Sequence, residues 1–505
     1  MKLKDFLALV LLGAGAFVVA GYHPGVEDAE IYVPQIKEML NPALYPFGSE
    51  FFQSHARLTL FPNMIAACVR FTHLSLGTTM LLWHLLSIFL VLLACWKLAS
   101  LCFDETAARW AGVALVAALL TIPVAGTALY IMDEYLNPRS LALFAALFAI
   151  AGALQRKYMV AALWIVFAAA IHPLMAIFGA SLVVVMVLLQ SNASRAARVE
   201  SRATARAAPA ILFLPLGITL RQPSAAYREI IQLRPYFFVL RWHWYEWLGI
   251  FAPLLILWWI GRTNRNRAAV ALLCRAIMVY EIVYFVLTLA ITIPPRLLSL
   301  VRYQPMRSLQ IAYVVLFLLV GCLAGKFLLR NRVWRWVALF VPFCLGMFYA
   351  QRQLFPATPH VEWPGRVPHN DWLEAFAWIR ANTPTNAIFA LNPNHMAVPG
   401  EDQHGFRALA ERSMLADAVK DSGAVTMFPE LPLAEHWEQQ IEAQKGWKNF
   451  GPADFERLHR DWGVTWVVLD GPVVRGLDCP YANPTLRVCC IESSAREPSE
   501  RVASE

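Results

Sequence analysis

Apolar runs long enough to cross a bilayer recur along this chain, and they constrain its fold more than any other feature. A helix needs about 20 residues to span the hydrocarbon core. Such runs fall near residues 6–21, 78–98, 110–127, 140–154, 158–171, 174–189, 209–220, 247–261, 268–293, 308–326 and 335–350. Inside lipid every backbone N–H and C=O must be satisfied within a helix or a closed barrel. The runs lack the two-residue alternation of a barrel strand, so they read as about eleven helical spans. Those between 140 and 189 are short enough to merge or re-enter. Composition agrees: 58% of the residues are hydrophobic and 15% charged, against roughly a quarter charged in soluble domains. The net charge of +8 then reads as loop Lys and Arg that orient the spans, and not as a nucleic-acid surface.

Those cations are unevenly placed. Lys2 and Lys4, Arg156 and Lys157, Arg195, Arg198, Arg202 and Arg206, Arg262, Arg265 and Arg267, and Lys326, Arg330, Arg332 and Arg335 fall in alternate loops. The positive-inside rule therefore puts the N-terminus in the cytoplasm. With an odd number of spans, everything after about residue 351 lies outside. The first run, after Met-Lys-Leu-Lys, reads either as a signal peptide ending near Val18-Val19-Ala20 or as an uncleaved first span. The uncleaved span is preferred because the residues after it look functional and tethered. The outer side then holds a long first loop (22–77) and shorter ones at 128–139, 221–246 and 294–307. A helix is expected from Asp28 to Met39, stopped by Asn41-Pro42, and a surface amphipathic stretch from Pro62 to Leu74.

Three regions follow: a multi-span domain over 1–355, an α/β domain over 360–492 and a disordered polar tail over 493–505. In the second, Asp371 to Asn382 and Asp454 to Trp462 read as amphipathic helices, and Ala387–Leu391, Val464–Leu469 and Leu486–Ile491 as strands. Helices alternating with strands imply a small sheet covered by helices. Cys68, Cys95, Cys102, Cys274, Cys322 and Cys344 lie in or beside spans as small apolar residues. Outside the membrane, Cys479 can pair with either Cys489 or Cys490.

The most informative polar motif is Glu27-Asp28-Ala29-Glu30-Ile31-Tyr32, directly after the first span. Helix capping explains one or two of these acids, with Asp28 as N-cap and Glu30 in the first turn. It does not explain why three carboxylates sit flush with the bilayer. An acidic pair after the first span, then Tyr and a helix ending Ile36-Lys37-Glu38-Met39, resembles the membrane glycosyltransferases of the GT-C fold. The branch most similar includes aminoarabinose and mannosyl transferases that use polyprenyl-phosphate sugars. The multi-span core, large first outer loop and C-terminal outer domain match that family along most of the chain. The resemblance implies that an Asp of the first loop is the base on the acceptor hydroxyl. The matching position is Asp28, with Glu27 and Glu30 as alternatives and Tyr32 as a substrate contact. The order here is Glu-Asp where the family more often has Asp-Glu, which leaves the choice among the three open.

A carboxylate can take the proton of a hydroxyl as it attacks an anomeric carbon. The departing lipid phosphate needs cations. The outer loops carry Arg221, Arg228, Arg234 and Arg241, then Arg296, Arg302 and Arg307, against the positive-inside tendency. Arginine suits bidentate phosphate binding; attraction to anionic headgroups or pairing with the C-terminal domain are the plain alternatives. Arg302-Tyr303-Gln304-Pro305-Met306-Arg307 is the leading phosphate-binding segment, with Arg296 and Arg234 beside it. Asp133-Glu134-Tyr135-Leu136-Asn137-Pro138-Arg139 is a second polar cluster. It reads as a helix start, or, by the resemblance, as a place where Asp133 or Glu134 holds a divalent cation and Arg139 contacts substrate. A hydroxyl acceptor requires no cofactor, so a cation stays optional. Glu281, in mid-span between Tyr280 and Tyr284, faces a cavity or substrate, or is protonated and bonded to a neighbouring helix. The aromatics from Trp242 to Trp247 read as an interfacial belt before a sugar platform.

No Gly-rich phosphate loop, Gly-x-Ser-x-Gly elbow, Cys-x-x-Cys or His-Glu-x-x-His motif is present, which argues against ATP-driven transport and zinc hydrolysis. The expectation is a transferase moving a hexose or pentose from a polyprenyl-phosphate donor to a lipid, glycan or protein hydroxyl. It would act on the outer face of a bacterial inner membrane, among membrane lipids and without nucleic acid. A transporter or flippase for lipid-linked saccharides, or a non-catalytic assembly protein, is the alternative.

Overall fold

The computed structural model describes residues 2–196, 223–471 and 474–491. The expected span at 209–220, the cations Arg198, Arg202, Arg206 and Arg221, and the polar tail from Ser493 lie outside the described residues. The chain divides into two compact units, one of residues 1–24 and 56–355 and the other of 25–55 and 356–505. The first loop is thus split: residues 25–55 cluster with the C-terminal domain instead of staying with 1–355.

In the first unit, seven helices among the described residues are long and apolar enough to cross a membrane. They are Leu3–Ala20, Leu76–Cys102, Pro173–Ser191, Trp244–Thr263, Ala268–Thr292, Pro295–Leu329 and Val333–Leu354. Thr106–Ala118, Pro138–Leu154 and Tyr158–Ile171 are apolar but shorter. Large apolar side chains such as Leu163, Leu255 and Val337 are exposed on these helices, as lipid-facing surfaces require. The chain is a polytopic helical membrane protein with an α/β domain.

One expected span ends early. The run at 110–127 is helical only to Ala118. Pro123, which has no N–H to offer a helix, instead forms an isolated bridge with Tyr130. The chain turns on itself, with Val124 N–H donating to Leu129 O at 2.8 Å and Met132 N–H to Leu120 O at 2.8 Å. The next helix starts at Pro138, where the Asn137 side chain accepts the Ser140 N–H at 3.1 Å.

Helix Thr106–Ala118 packs closely on Leu309–Ala324 and its π-helical end Gly325–Leu329. Within a membrane, close helix contact depends on small residues that let backbones approach. Gly325 shows how close: a Cβ there would lie 2.4 Å from Ala107 O and 2.6 Å from Ala111 Cβ.

The second unit holds a five-stranded sheet of order β2-β1-β3-β5-β4, with β1 Ile388–Leu391, β2 Ser413–Met414, β3 Trp466–Leu469, β4 Asp478–Ala482 and β5 Arg487–Cys490. The strands β2, β1 and β3 are parallel and β5 and β4 antiparallel to their neighbours. Alternate residues feed two cores. Phe389, Leu391 and Val468 pack with Trp372, Phe376 and Ile379 of helix Asp371–Asn382. Ala390, Val467 and Leu469 pack with Phe455 and Leu458 of helix Pro452–Trp462. A strand covered on both faces reads as a near-continuous apolar run, and that is what makes β1 and β3 legible. A disulfide joins Cys479 of β4 to Cys489 of β5, so Cys489 is the member of the adjacent pair that makes the bridge.

Gly325→Leu is expected to destabilise the detergent-solubilised protein by about 3 kcal/mol of overpacking or more, because the nearest atom is backbone. The thermal midpoint reads this loss. Gly346→Leu, where no atom lies within 4 Å of the added Cβ, serves as the control and should leave the midpoint unchanged. Equal midpoints for both variants would contradict the packing described.

Candidate functional site

The three first-loop acids reach the C-terminal domain by local chain geometry. Val26 forms an antiparallel bridge with His404, Glu27 N–H donates to Gln403 O at 3.2 Å and Gly405 N–H to Gly25 O at 2.9 Å. Glu27 then adopts φ +54°, a left-handed turn uncommon for a residue with a Cβ. Helix Ala29–Leu40 follows.

The turn splits the acids into two environments. Glu30 is enclosed, its side chain 0% exposed beside an Arg407 side chain that is 1% exposed. Its Oε1 accepts the Arg407 N–H at 2.9 Å and its Oε2 the Ala408 N–H at 2.8 Å. These are the orphan donors at the start of helix Phe406–Ala410, so Glu30 caps a helix nearly 380 residues away. The approach needs Gly405, where a Cβ would lie 2.2 Å from Glu30 Oε2. The Arg407 guanidinium pairs with Asp421 through both η nitrogens, at 2.9 and 2.8 Å. It also lies 3.8 Å from Asp417. One cation serves three carboxylates in a dry site, so all three cannot be ionised together without cost. Burial pushes the Glu30 carboxyl up to about 8 against the pull of Arg407, and burial likewise lifts Asp421 to about 6. Lys37 and Tyr45 extend the same seam, Lys37 Nζ meeting Glu411 Oε1 at 2.7 Å and Tyr45 OH donating to Arg407 O at 2.8 Å.

Glu27 and Asp28 remain accessible, with side chains 38% and 25% exposed. Both meet the ammonium of Lys420, which donates to Glu27 Oε2 and lies 3.2 Å from Asp28 Oδ1. Lys420 follows β2 on the carboxyl-end side of the parallel strands, where α/β sheets place their ligands. The same edge carries Asn392, which donates to Asp470 Oδ2 at 2.7 Å. Tyr32 is buried on its helix. Glu30, expected as an alternative to Asp28, is taken up by capping and has no surface to offer a hydroxyl. Arg407, Asp417, Lys420 and Asp421 have no local signal in the sequence that pairs them with residues 27–30.

In the membrane unit the expected polar residues separate into distinct groups. Asp133 pairs with Arg139 at 3.0 Å and accepts from the Asn137 amide, all three buried. Glu134 is buried as well, and its carbonyl accepts the His23 N–H at 3.0 Å. This cluster builds the helix start. Among the described residues, no group of three or more His, Cys, Asp or Glu is placed to hold a metal ion. Glu281 is buried and accepts from Ser308 Oγ at 2.9 Å, joining its helix to the neighbouring one. Arg302 is mostly buried, its guanidinium 5.2 Å over the Tyr303 ring and donating to Tyr303 OH at 3.3 Å. Arg307 lines a narrow crevice with Gln304, Thr288 and Tyr236, and Arg234 is half-buried.

Three other loop arginines converge. Arg228, Arg241 and Arg296 line a cleft of about 800 Å³ with Phe238, Leu240, Ile293 and Leu298. Arg241 is set over the Phe238 ring at 4.7 Å and donates to Gln232 O at 3.3 Å. One carboxylate, Glu229, shares the cleft. The lining is therefore cationic along part of its wall and apolar along the rest.

A family profile described as "Domain of unknown function (DUF6798)" matches residues 370–421, the stretch that carries Arg407, Asp417, Lys420 and Asp421. No curated protein matches the chain in sequence. Among solved structures, the archaeal oligosaccharyltransferase of Archaeoglobus fulgidus in complex with an inhibitory peptide and a dolichol-phosphate is similar at a TM-score of 0.46. Its identity is 14%, and the match covers 93% of this chain and 70% of that one. An Archaeoglobus fulgidus oligosaccharyltransferase in the apo form gives 0.46 and 12% over 93% and 70% of the two chains. A complex with zinc and sulfate gives 0.46 and 14% over 92% and 67%. A likeness at this level assigns no activity, substrate or residue.

The buried carboxyls generate a pH dependence with a defined sign. A carboxyl whose folded pKa is raised stabilises the fold below its unfolded value, and that contribution is lost as pH climbs through the folded value. For Glu30, raised from 4.5 to about 8, the window is pH 4.5 to 8. Stability, followed as the thermal midpoint, should fall across it by up to roughly 5 kcal/mol, at ~1.4 kcal/mol for each pH unit crossed. Glu30→Gln should flatten the fall above pH 6. An equally steep decline in that variant would remove Glu30 as its source.

Proposed function

We propose that this protein transfers a sugar from a polyprenyl-phosphate donor to a hydroxyl of a lipid, glycan or protein acceptor. The site of action is the outer face of a bacterial inner membrane. The observation that supports this most is the arginine-lined cleft. A guanidinium cluster set in apolar walls suits a phosphate carrying an isoprenoid tail, because each face meets its own chemistry. The transferred group is a hexose or a pentose.

Asp28 takes the role of base, with Glu27 beside it. The acceptor oxygen bonds to the anomeric carbon as the bond from that carbon to the phosphate oxygen breaks. The hydroxyl proton passes to the Asp28 carboxylate, and the lipid phosphate departs as an anion, a charge that guanidinium groups can hold. Arg302, Arg307 and Arg234, on the same two loops, are further candidates to bind the phosphate. The charge that develops on the leaving group is answered by fixed guanidinium groups, so this chemistry requires no cofactor.

The test is native mass spectrometry and a transfer assay on the purified full-length protein with a short-chain polyprenyl-phosphate hexose. Replacing any one cleft arginine by Ala should weaken donor retention about tenfold, since a charge-assisted hydrogen bond is worth roughly 1.5–3 kcal/mol. Asp28→Asn should keep donor binding and lose transfer by a factor of about 100 or more. Donor retention unchanged by all three arginine variants would overturn the cleft assignment. Transfer undiminished in Asp28→Asn would overturn the base. Binding without transfer in the unaltered protein would favour a lipid-saccharide carrier or assembly protein.

A further inference from the structure

We propose that Lys420 is the positioning residue for Asp28, holding it charged and oriented beside Glu27; this rests on reading Asp28 as the acceptor base. Two carboxylates on consecutive residues repel each other, and the pair survives near the surface only with a cation between them. Lys420 supplies it. Its ammonium is buried to a side-chain exposure of 11%, donates to Glu27 Oε2 and lies 3.2 Å from Asp28 Oδ1.

The lysine is itself fixed. It opens helix Lys420–Thr426, and its backbone N–H donates to Asp417 Oδ1 at 2.5 Å, as that of Val419 does at 2.7 Å. Burial works against its charge, yet the Glu27 and Asp28 carboxylates hold the ammonium above its ordinary range. Glu27 and Lys420 contact the pair directly. His55 lies near, its imidazole lowered to about 4 by burial and therefore neutral, with its ring 5.3 Å from Phe428. Behind them stand Asp417, Arg407, Asp421 and Glu30, joined by their own contacts. Lys420 thus contacts Asp28 from the segment after β2 and not from the loop that carries the acid.

The division of the acids follows from this placement. Arg407 encloses Glu30 and fixes the helix that carries it. Lys420 leaves Asp28 a quarter exposed, so the carboxylate is held yet reachable. A cation beside a carboxylate favours its charged form, which is the form a base must have before it takes a proton.

The experiment reads Asp28 without needing a substrate. Full-length protein in detergent is treated at pH 6 to 7 with a water-soluble carbodiimide and glycine ethyl ester, which modify protonated carboxyls, and Asp28 is followed by peptide mapping. Lys420→Met should raise labelling of Asp28 about tenfold, because loss of a contacting cation favours the protonated form. Lys420→Arg should restore near-native labelling. Glu27→Gln in the otherwise native chain, which leaves Lys420 to Asp28 alone, should lower it. Asp28 labelling unchanged in both Lys420→Met and Glu27→Gln would overturn the proposal. If Lys420→Met fails to fold, Glu27→Gln decides: lowered labelling supports the proposal and unchanged labelling overturns it. Transfer retained in Asp28→Asn would remove the base reading, whereas the labelling result reports the Lys420 contact independently.

Discussion

The contact between Glu30 and Arg407 organises the second unit. A carboxyl and a guanidinium with almost no solvent exposure gain little net stability from their attraction alone, since desolvation opposes it and holds the Glu30 carboxyl up at about 8. What makes the arrangement persist is that Glu30 also satisfies two helix N–H groups and that Arg407 also satisfies Asp421. Removing any partner would strand the others in a dry site. The consequence is topological: residues 25–55 belong with 356–505, and the acid motif after the first span takes its geometry from the C-terminal sequence.

This explains which parts were legible in the sequence. Apolar runs with about 20 residues and short apolar strands between turn signals carry a local signature, so they can be read one segment at a time. Ten of the expected spans correspond to helices among the described residues. The run at 110–127 stops at Ala118 because Pro123 cannot continue a helix, a local rule masked by apolar composition. Pairings such as Glu30 with Arg407 and Asp28 with Lys420 have no period. They join residues more than 370 positions apart through one short bridge, Val26 to His404. The acid spacing points to capping, but within the acids' own helix; Glu30 caps another.

The arginines make the same point in the membrane unit. Arg302 and Arg307 stand out along the chain because they flank a compact motif. The fold instead sets Arg302 against Tyr303 and brings together Arg228 and Arg241 of one loop with Arg296 of another. Charge in an unfavoured loop does not say which charges share a wall.

Three acids within four residues therefore take different parts, and the difference lies in the cation each one meets. Glu30 meets a guanidinium in a sealed site and becomes a clasp. Glu27 and Asp28 share one ammonium at the edge of the sheet, where a single positive charge balances two negative ones only in part. An ammonium shared in this way holds both carboxylates in place and leaves each of them partly exposed. Exchanging the two cations would not exchange the roles, because the planar fork of Arg407 is matched to the two Asp421 oxygens, whereas the point charge of Lys420 can sit between carboxylates that diverge.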